Sequence, residues 1–158
     1  MKKKIEIVDN FLSHEECDYL INFYEKNKDI QRLYQMSNGV PIMEIEITII
    51  KEFDSLREKL NKHVYSQGCK VDWINIVKWG NGCSKNLHQD LASTETVYSS
   101  ISYLNQGYIG GKTYFEDGTS VAPVKGRSLF FDGVYYKHGV LAVQNPPRYV
   151  VACWFKKI

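Results

Sequence analysis

A chain of 158 residues, 44% hydrophobic and 24% charged, is long enough to bury one core and short for two. Its net charge of +2 gives no electrostatic argument for a nucleic-acid or anionic-membrane partner. No apolar run approaches the roughly 18 residues of a membrane span, and Ile5 to Val8 is too short for the apolar region of a signal peptide. Cys17, Cys69, Cys83 and Cys153 form no C-x-x-C pair, so four free thiols, some of them buried, are expected. The expectation is a single cytoplasmic domain over residues 1–158, with Lys2-Lys3-Lys4 as a solvated terminus.

In chain order, Ile5-Glu6-Ile7-Val8 reads as a short strand. Ser13 and Glu16 form a capping box, each side chain placed to bond the other's free backbone N–H. Cys17, Leu20, Ile21 and Tyr24 follow at helical spacing, predicting a helix from about Ser13 to Asn27. Lys28 to Pro41 is polar, carries the turn signal Asn38-Gly39, and reads as a loop. Phe53, Leu56, Leu60, His63 and Val64 predict a second helix ending near Gly68. After Val71 the sequence reads as β-structure. The predicted strands are Val71–Trp79, Thr96–Leu104, Thr113–Phe115, Ser128–Phe131, Val140–Val143 and Tyr149–Phe155, separated by Gly, Asn, Asp and Pro clusters. Two helices followed by short strands predict an α+β domain whose β part is a sandwich or barrel with a pocket at its mouth.

His88-Gln89-Asp90 is the first element with chemical content. Entering a strand, it places His88 and Asp90 on one face with Gln89 turned away. His138 then completes a two-histidine, one-carboxylate set that occupies one face of an octahedral iron(II) and leaves open positions. The competing readings are a surface turn for the pair and a structural role for His138.

Arg148 opens the run Arg148-Tyr149-Val150-Val151-Ala152-Cys153-Trp154-Phe155. Arg148, Val150, Ala152 and Trp154 share one strand face and Tyr149, Val151, Cys153 and Phe155 the other, so the strand is expected to be covered on both sides. An arginine there needs an anion. That anion is either Asp132 or Glu116, or a ligand carboxylate gripped by the guanidinium fork. Tyr103 ends the run Val97, Ser99, Ile101, Tyr103 on one strand face. Its phenol is either a second donor to that carboxylate or a core group.

These pieces, in order, resemble the prolyl 4-hydroxylase-like branch of the 2-oxoglutarate/iron(II) oxygenases. Trp79-Gly80-Asn81-Gly82 leads to His88-Gln89-Asp90, then Tyr103-Leu104-Asn105 and Gly110-Gly111-Lys112-Thr113-Tyr114-Phe115. Pro123, Gly126 and Phe130-Phe131 precede His138-Gly139-Val140 and the arginine strand, and Val8 to Ser13 with Glu16-Cys17 is similar to the family's entry into its first helix. The resemblance implies a double-stranded β-helix, or jelly-roll, with N-terminal supporting helices. It implies that His88, Asp90 and His138 ligate Fe(2+), and that Arg148 and Tyr103 bind the far carboxylate of 2-oxoglutarate. With O2, and ascorbate in support, that co-substrate is split to succinate and carbon dioxide as a C–H bond is hydroxylated. Trp154 and Trp79 are candidates for the substrate pocket. Trp79 stands where the family often has tyrosine, and indole donates but does not accept.

Asp90 favours hydroxylation, because halogenating members of the superfamily lack that carboxylate. Trp154 stands near where the nucleic-acid demethylase branch has a second arginine, which argues against nucleic acid. The substrate implied is a prolyl residue of a peptide or protein, with a free amino acid or other small molecule as the alternative. A jelly-roll binding module without catalysis is the reading from another class. Gly110-Gly111 is expected to permit a tight backbone path rather than to bind phosphate. His14 and His63 read as helix residues without partners.

Overall fold

Ser13 starts the first helix as its side chain requires. Its Oγ accepts from the Glu16 N–H and Glu16 Oε1 accepts from the Ser13 N–H, both at 3.0 Å. The computed structural model describes residues 4–145 and 147–158, so Lys2 and Lys3 of the basic run lie outside the described residues. The elements are β1 (Glu6–Val8), α1 (His14–Lys26), β2 (Arg32–Ser37), β3 (Val40–Glu46), α2 (Asp54–Val64), β4 (Cys69–Trp79), β5 (Lys85–His88), β6 (Thr96–Tyr103), β7 (Ile109–Gly110), β8 (Thr113–Phe115), β9 (Ser120–Val121), β10 (Ser128–Phe131), β11 (His138–Val140), β12 (Val143–Gln144) and β13 (Arg148–Lys157).

A seven-stranded antiparallel sheet runs β1-β10-β6-β13-β4-β3-β2, and a four-stranded one runs β5-β11-β8-β9, with β12 and β7 as a short extra pair. The long strand β13 lies between β6 and β4 and serves two cores. Its Tyr149, Val151, Cys153 and Phe155 pack with Leu20 and Tyr24 of α1 and Leu56 and Leu60 of α2. Its Val150 turns the other way, toward Phe131, Phe115 and Val140 between the sheets. That division by alternate residues is the two-sided burial expected for this strand. Helices on one face of the large sheet and a second sheet on the other make an α+β jelly-roll. Among the described residues no helix is long and apolar enough to cross a membrane.

Three expectations need correction. The segment read as a loop from Lys28 to Pro41 is mostly the β2–β3 hairpin, turned at Asn38 and Gly39, whose φ values are +51° and +79°. A register shift between Leu33 and Gln35 breaks its alternation, and β2 is an edge strand with Leu33 and Met36 exposed, so the periodic signal is lost. The predicted strand Val140–Val143 is split: β11 ends at Val140 and β12 begins at Val143. His63, read as unpartnered, lies with Nε2 2.8 Å from Glu6 Oε1.

Candidate active site

The register of β11 against β5 sets His138 directly opposite His88. Their rings stand 4.4 Å apart by centroid. Asp90 follows two residues after the end of β5, where its N–H donates to the Gly133 carbonyl at 2.9 Å and its Oδ2 accepts from the Ser99 hydroxyl at 2.6 Å. Asp90 Oδ1 lies 3.3 Å from His138 Nε2 and 3.6 Å from His88 Nε2. One ligand atom from each of the three falls within 4.8 Å of the others.

The second nitrogen of each imidazole is occupied. His138 Nδ1 lies 2.8 Å from the Tyr136 carbonyl and His88 Nδ1 2.9 Å from the Asn86 carbonyl. A carbonyl only accepts, so Nδ1 carries a hydrogen, and Nε2, which faces Asp90 Oδ1, is the nitrogen that can exchange its proton for a metal. Burial alone would raise the Asp90 pKa. Hydrogen bonds from His138, His88 and Ser99, together with attraction to His138, outweigh it and hold the carboxyl well below the usual range, as a ligand must be.

Arg148 opens β13 opposite Trp79 and is fully buried. Its Nε donates to the Gly111 carbonyl at 3.0 Å, its Nη2 reaches Thr113 Oγ1 at 3.4 Å, and its Nη1 has no partner. Neither expected acid meets it. Glu116 lies against Lys137, and Asp132 accepts from the Val134 and Tyr135 N–H groups. Two further buried donors nearby also lack partners: the Trp79 indole N–H, on a ring 5.0 Å from the guanidinium, and the Tyr108 hydroxyl. Burial pushes the Tyr108 phenol up, more than the Arg148 charge pulls it down, so it stays a donor. Arg148, His88, Asp90 and His138 line one cavity. A buried cation with unpaired donors, sharing its cavity with three atoms that could hold a metal ion, fits a diacid that spans the two.

Tyr103 is fully buried, and its hydroxyl lies 2.5 Å from Thr113 Oγ1, one link from Arg148. Sequence reasoning does not single out Thr113, although the Gly110-Gly111-Lys112-Thr113 run carries it. Gly110 and Gly111 have φ of +73° and +69°, and a Cβ on Gly110 would lie 1.9 Å from the Ala142 carbonyl oxygen, so the pair does allow a close backbone approach. Trp154 stacks on Trp73 with centroids 4.9 Å apart, and both wall a groove that opens onto His88 and Asp90. Trp73 carries no signal beyond that of a strand tryptophan.

The family model of the 2OG-Fe(II) oxygenase superfamily matches residues 74–156, over half of the protein. Prolyl 3-hydroxylase 1 of Rattus norvegicus is 31% identical over 115 residues, which cover 68% of this chain and 15% of that protein's length. Among solved structures, the viral collagen prolyl hydroxylase of Paramecium bursaria Chlorella virus-1, in its 2OG complex, superposes with a TM-score of 0.74 at 21% identity, covering 99% of this chain and 97% of that one. A Pseudomonas putida prolyl-4-hydroxylase gives 0.76 at 17% identity, covering 99% and 94%. These likenesses establish the jelly-roll, and the matched segment carries every residue that lines the cavity except Tyr34 of β2. The protein therefore belongs to the 2OG-Fe(II) oxygenase superfamily.

Proposed function

We propose that the protein hydroxylates an unactivated C–H bond of a prolyl residue in a peptide or protein, with His88, Asp90 and His138 holding iron(II) and Arg148 anchoring 2-oxoglutarate. The family's chemistry is iron(II)-dependent: bound with 2-oxoglutarate and O2, the metal supplies the oxidant for hydroxylation while the diacid becomes succinate and carbon dioxide. The protein's own part is placement. The Tyr136 and Asn86 carbonyls aim the two imidazoles, Ser99 and Gly133 aim the carboxylate, and the guanidinium fixes the far end of the co-substrate. Tyr103 supports that end through Thr113. Apolar walls from Val150, Ile101 and Phe131 exclude water from the cavity.

The observation that carries the reading is the buried Arg148, which has no acidic partner among the described residues yet shares its cavity with the three ligand atoms. The prolyl assignment draws support from the prolyl hydroxylases that the protein resembles in sequence and fold. The stacked Trp73–Trp154 wall offers a flat apolar face suited to a pyrrolidine ring. Incubation with iron(II), 2-oxoglutarate, ascorbate, O2 and a proline-rich peptide library is expected to give peptides heavier by one oxygen, with matching succinate. Turnover confined to free amino acids or other small molecules defeats the peptide reading. No succinate from any mixture defeats the oxygenase reading.

A further inference from the structure

Lys85 opens β5, three residues before His88, and its side chain lines both the cavity shared by Arg148 and His138 and the outer groove walled by Trp73 and Trp154. The ammonium donates to the Tyr34 hydroxyl and lies 4.5 Å from that ring's centroid. It forms no ion pair among the described residues, and the two acids whose charge acts on it, Asp90 and Glu44, are committed elsewhere. Asp90 is held by His138, His88 and Ser99. Glu44 accepts from Arg32 at 2.8 Å and from the Asn75 amide at 2.9 Å.

The charges show what is missing. Iron(II), Asp90 and Arg148 together carry two net positive charges, and the 2-oxoglutarate dianion cancels them. The Lys85 charge is left over, at the junction of the cavity with the groove by which substrate arrives. Burial lowers the Lys85 pKa by more than Asp90 and Glu44 raise it, so the ammonium is desolvated without an ion pair to offset the cost. Such a group is satisfied by an anion that comes and goes.

We infer that Lys85 receives a carboxylate carried by the substrate close to the carbon that is hydroxylated, a specificity contact resting on the oxygenase reading above. The carboxylate belongs either to an acidic side group next to the target residue or to the free terminal carboxyl of the substrate. In both cases the ammonium acts as a mobile point charge, which lysine suits better than the forked guanidinium of Arg148.

The test titrates acetylated, amidated proline pentapeptides that differ only at the residue after proline (Glu, Gln or Lys). They are titrated into protein loaded with manganese(II) and 2-oxoglutarate, and binding is read by calorimetry without turnover. A fourth peptide carries Gln and a free terminal carboxylate. Wild type is expected to bind the Glu peptide, the free-carboxylate peptide or both about tenfold tighter than the amidated Gln peptide, with the Lys peptide weakest. The source is whichever of those two gains. Lys85→Met should flatten the series and Lys85→Glu invert it, while the rise in Tm on metal loading checks that both variants fold.

Equal affinities across the series in wild type, or an unchanged order in Lys85→Glu, overturns the inference and leaves prolyl hydroxylation standing. If no peptide binds or gains oxygen, the peptide reading fails instead. L-proline against L-prolinamide in the same titration then decides the carboxylate contact: a preference for L-proline that Lys85→Met loses supports it, and no preference overturns it.

Discussion

Arg148 donates its Nε hydrogen to the Gly111 carbonyl at 3.0 Å, and this bond turns the guanidinium so that Nη1 is left without a partner in a fully buried setting. A buried cation of that kind costs stability in the ligand-free protein. Arg148→Met removes that cost and fills much of the same volume, although it strips the Gly111 carbonyl of a donor, a loss of about 1 kcal/mol. The two effects oppose each other. Tm of the variant should stay within about 3 °C of wild type, since about 1 kcal/mol corresponds to a few degrees in a protein of this size. Affinity for 2-oxoglutarate should fall by at least about 10- to 100-fold, the loss of one charge-assisted pair, while metal affinity is retained. Both are read from anaerobic titrations. Unchanged 2-oxoglutarate affinity rejects the anchor, and a Tm fall beyond about 5 °C makes the guanidinium structural.

Gly133 has a different relation to the metal site. A Cβ there would lie 2.4 Å from both Asp90 Oδ2 and Ser99 Oγ, the atoms whose hydrogen bond aims the carboxylate. Its φ is not positive, so the Gly133→Ala backbone is relaxed and the strain falls on Asp90. The expected outcome is a folded protein with metal affinity reduced about 10- to 100-fold, the usual effect of disturbing a group that orients a ligand. Ser99→Ala should give a milder loss in the same direction. Metal titration followed by calorimetry checks both, and wild-type affinity in Gly133→Ala would show that Asp90 is not aimed from this side.

Some of this site is legible from sequence for a physical reason. Strand alternation is a local rule, so the face of Arg148, Val150 and Trp154 follows from spacing alone, and α1 announces itself through the Ser13–Glu16 capping box and the spacing of Cys17, Leu20 and Tyr24. The meeting of His138 with His88 depends on the pairing of β11 with β5, which no local pattern encodes; donor chemistry suggests the set and the resemblance supports it. Thr113, Tyr108 and Lys85 carry no local signal because their roles depend on neighbours far along the sequence. The same holds for His63, whose partner Glu6 belongs to β1. The β2–β3 hairpin is hidden by its register shift and polar edge, although its turn at Asn38-Gly39 is visible.

His138→Ala should abolish 2-oxoglutarate consumption, because it removes one of three ligand atoms and two hold a labile divalent iron poorly. Stability gives a second readout. Ligands that bind only the folded state raise Tm, by about 2.7 kcal/mol of stabilisation at a hundredfold excess over Kd. Wild type should therefore melt higher with manganese(II) and 2-oxoglutarate than without, and His138→Ala should show no such rise. The variant's own Tm must be compared ligand-free, since His138 packs on Phe131 and Phe115 and its loss opens a small cavity. Equal 2-oxoglutarate consumption by both proteins removes His138 from the site.

All four cysteines are free and buried, at 1% exposure or less. Burial raises each thiol: Cys17 is pushed up to about 11 against the opposing pull of Lys125, Cys153 goes well above its ordinary value, and Cys69 and Cys83 rise as well. The thiolate is the reactive form, so raised pKa and lack of access act in the same direction. Iodoacetamide at pH 8 should therefore leave the folded protein unmodified for hours and label all four positions once guanidinium unfolds it. The rate in native buffer should track the opening of the core rather than the alkaline titration of an exposed thiol. Prompt labelling of Cys83, which lies in the loop between β4 and β5, would show that this loop opens on its own.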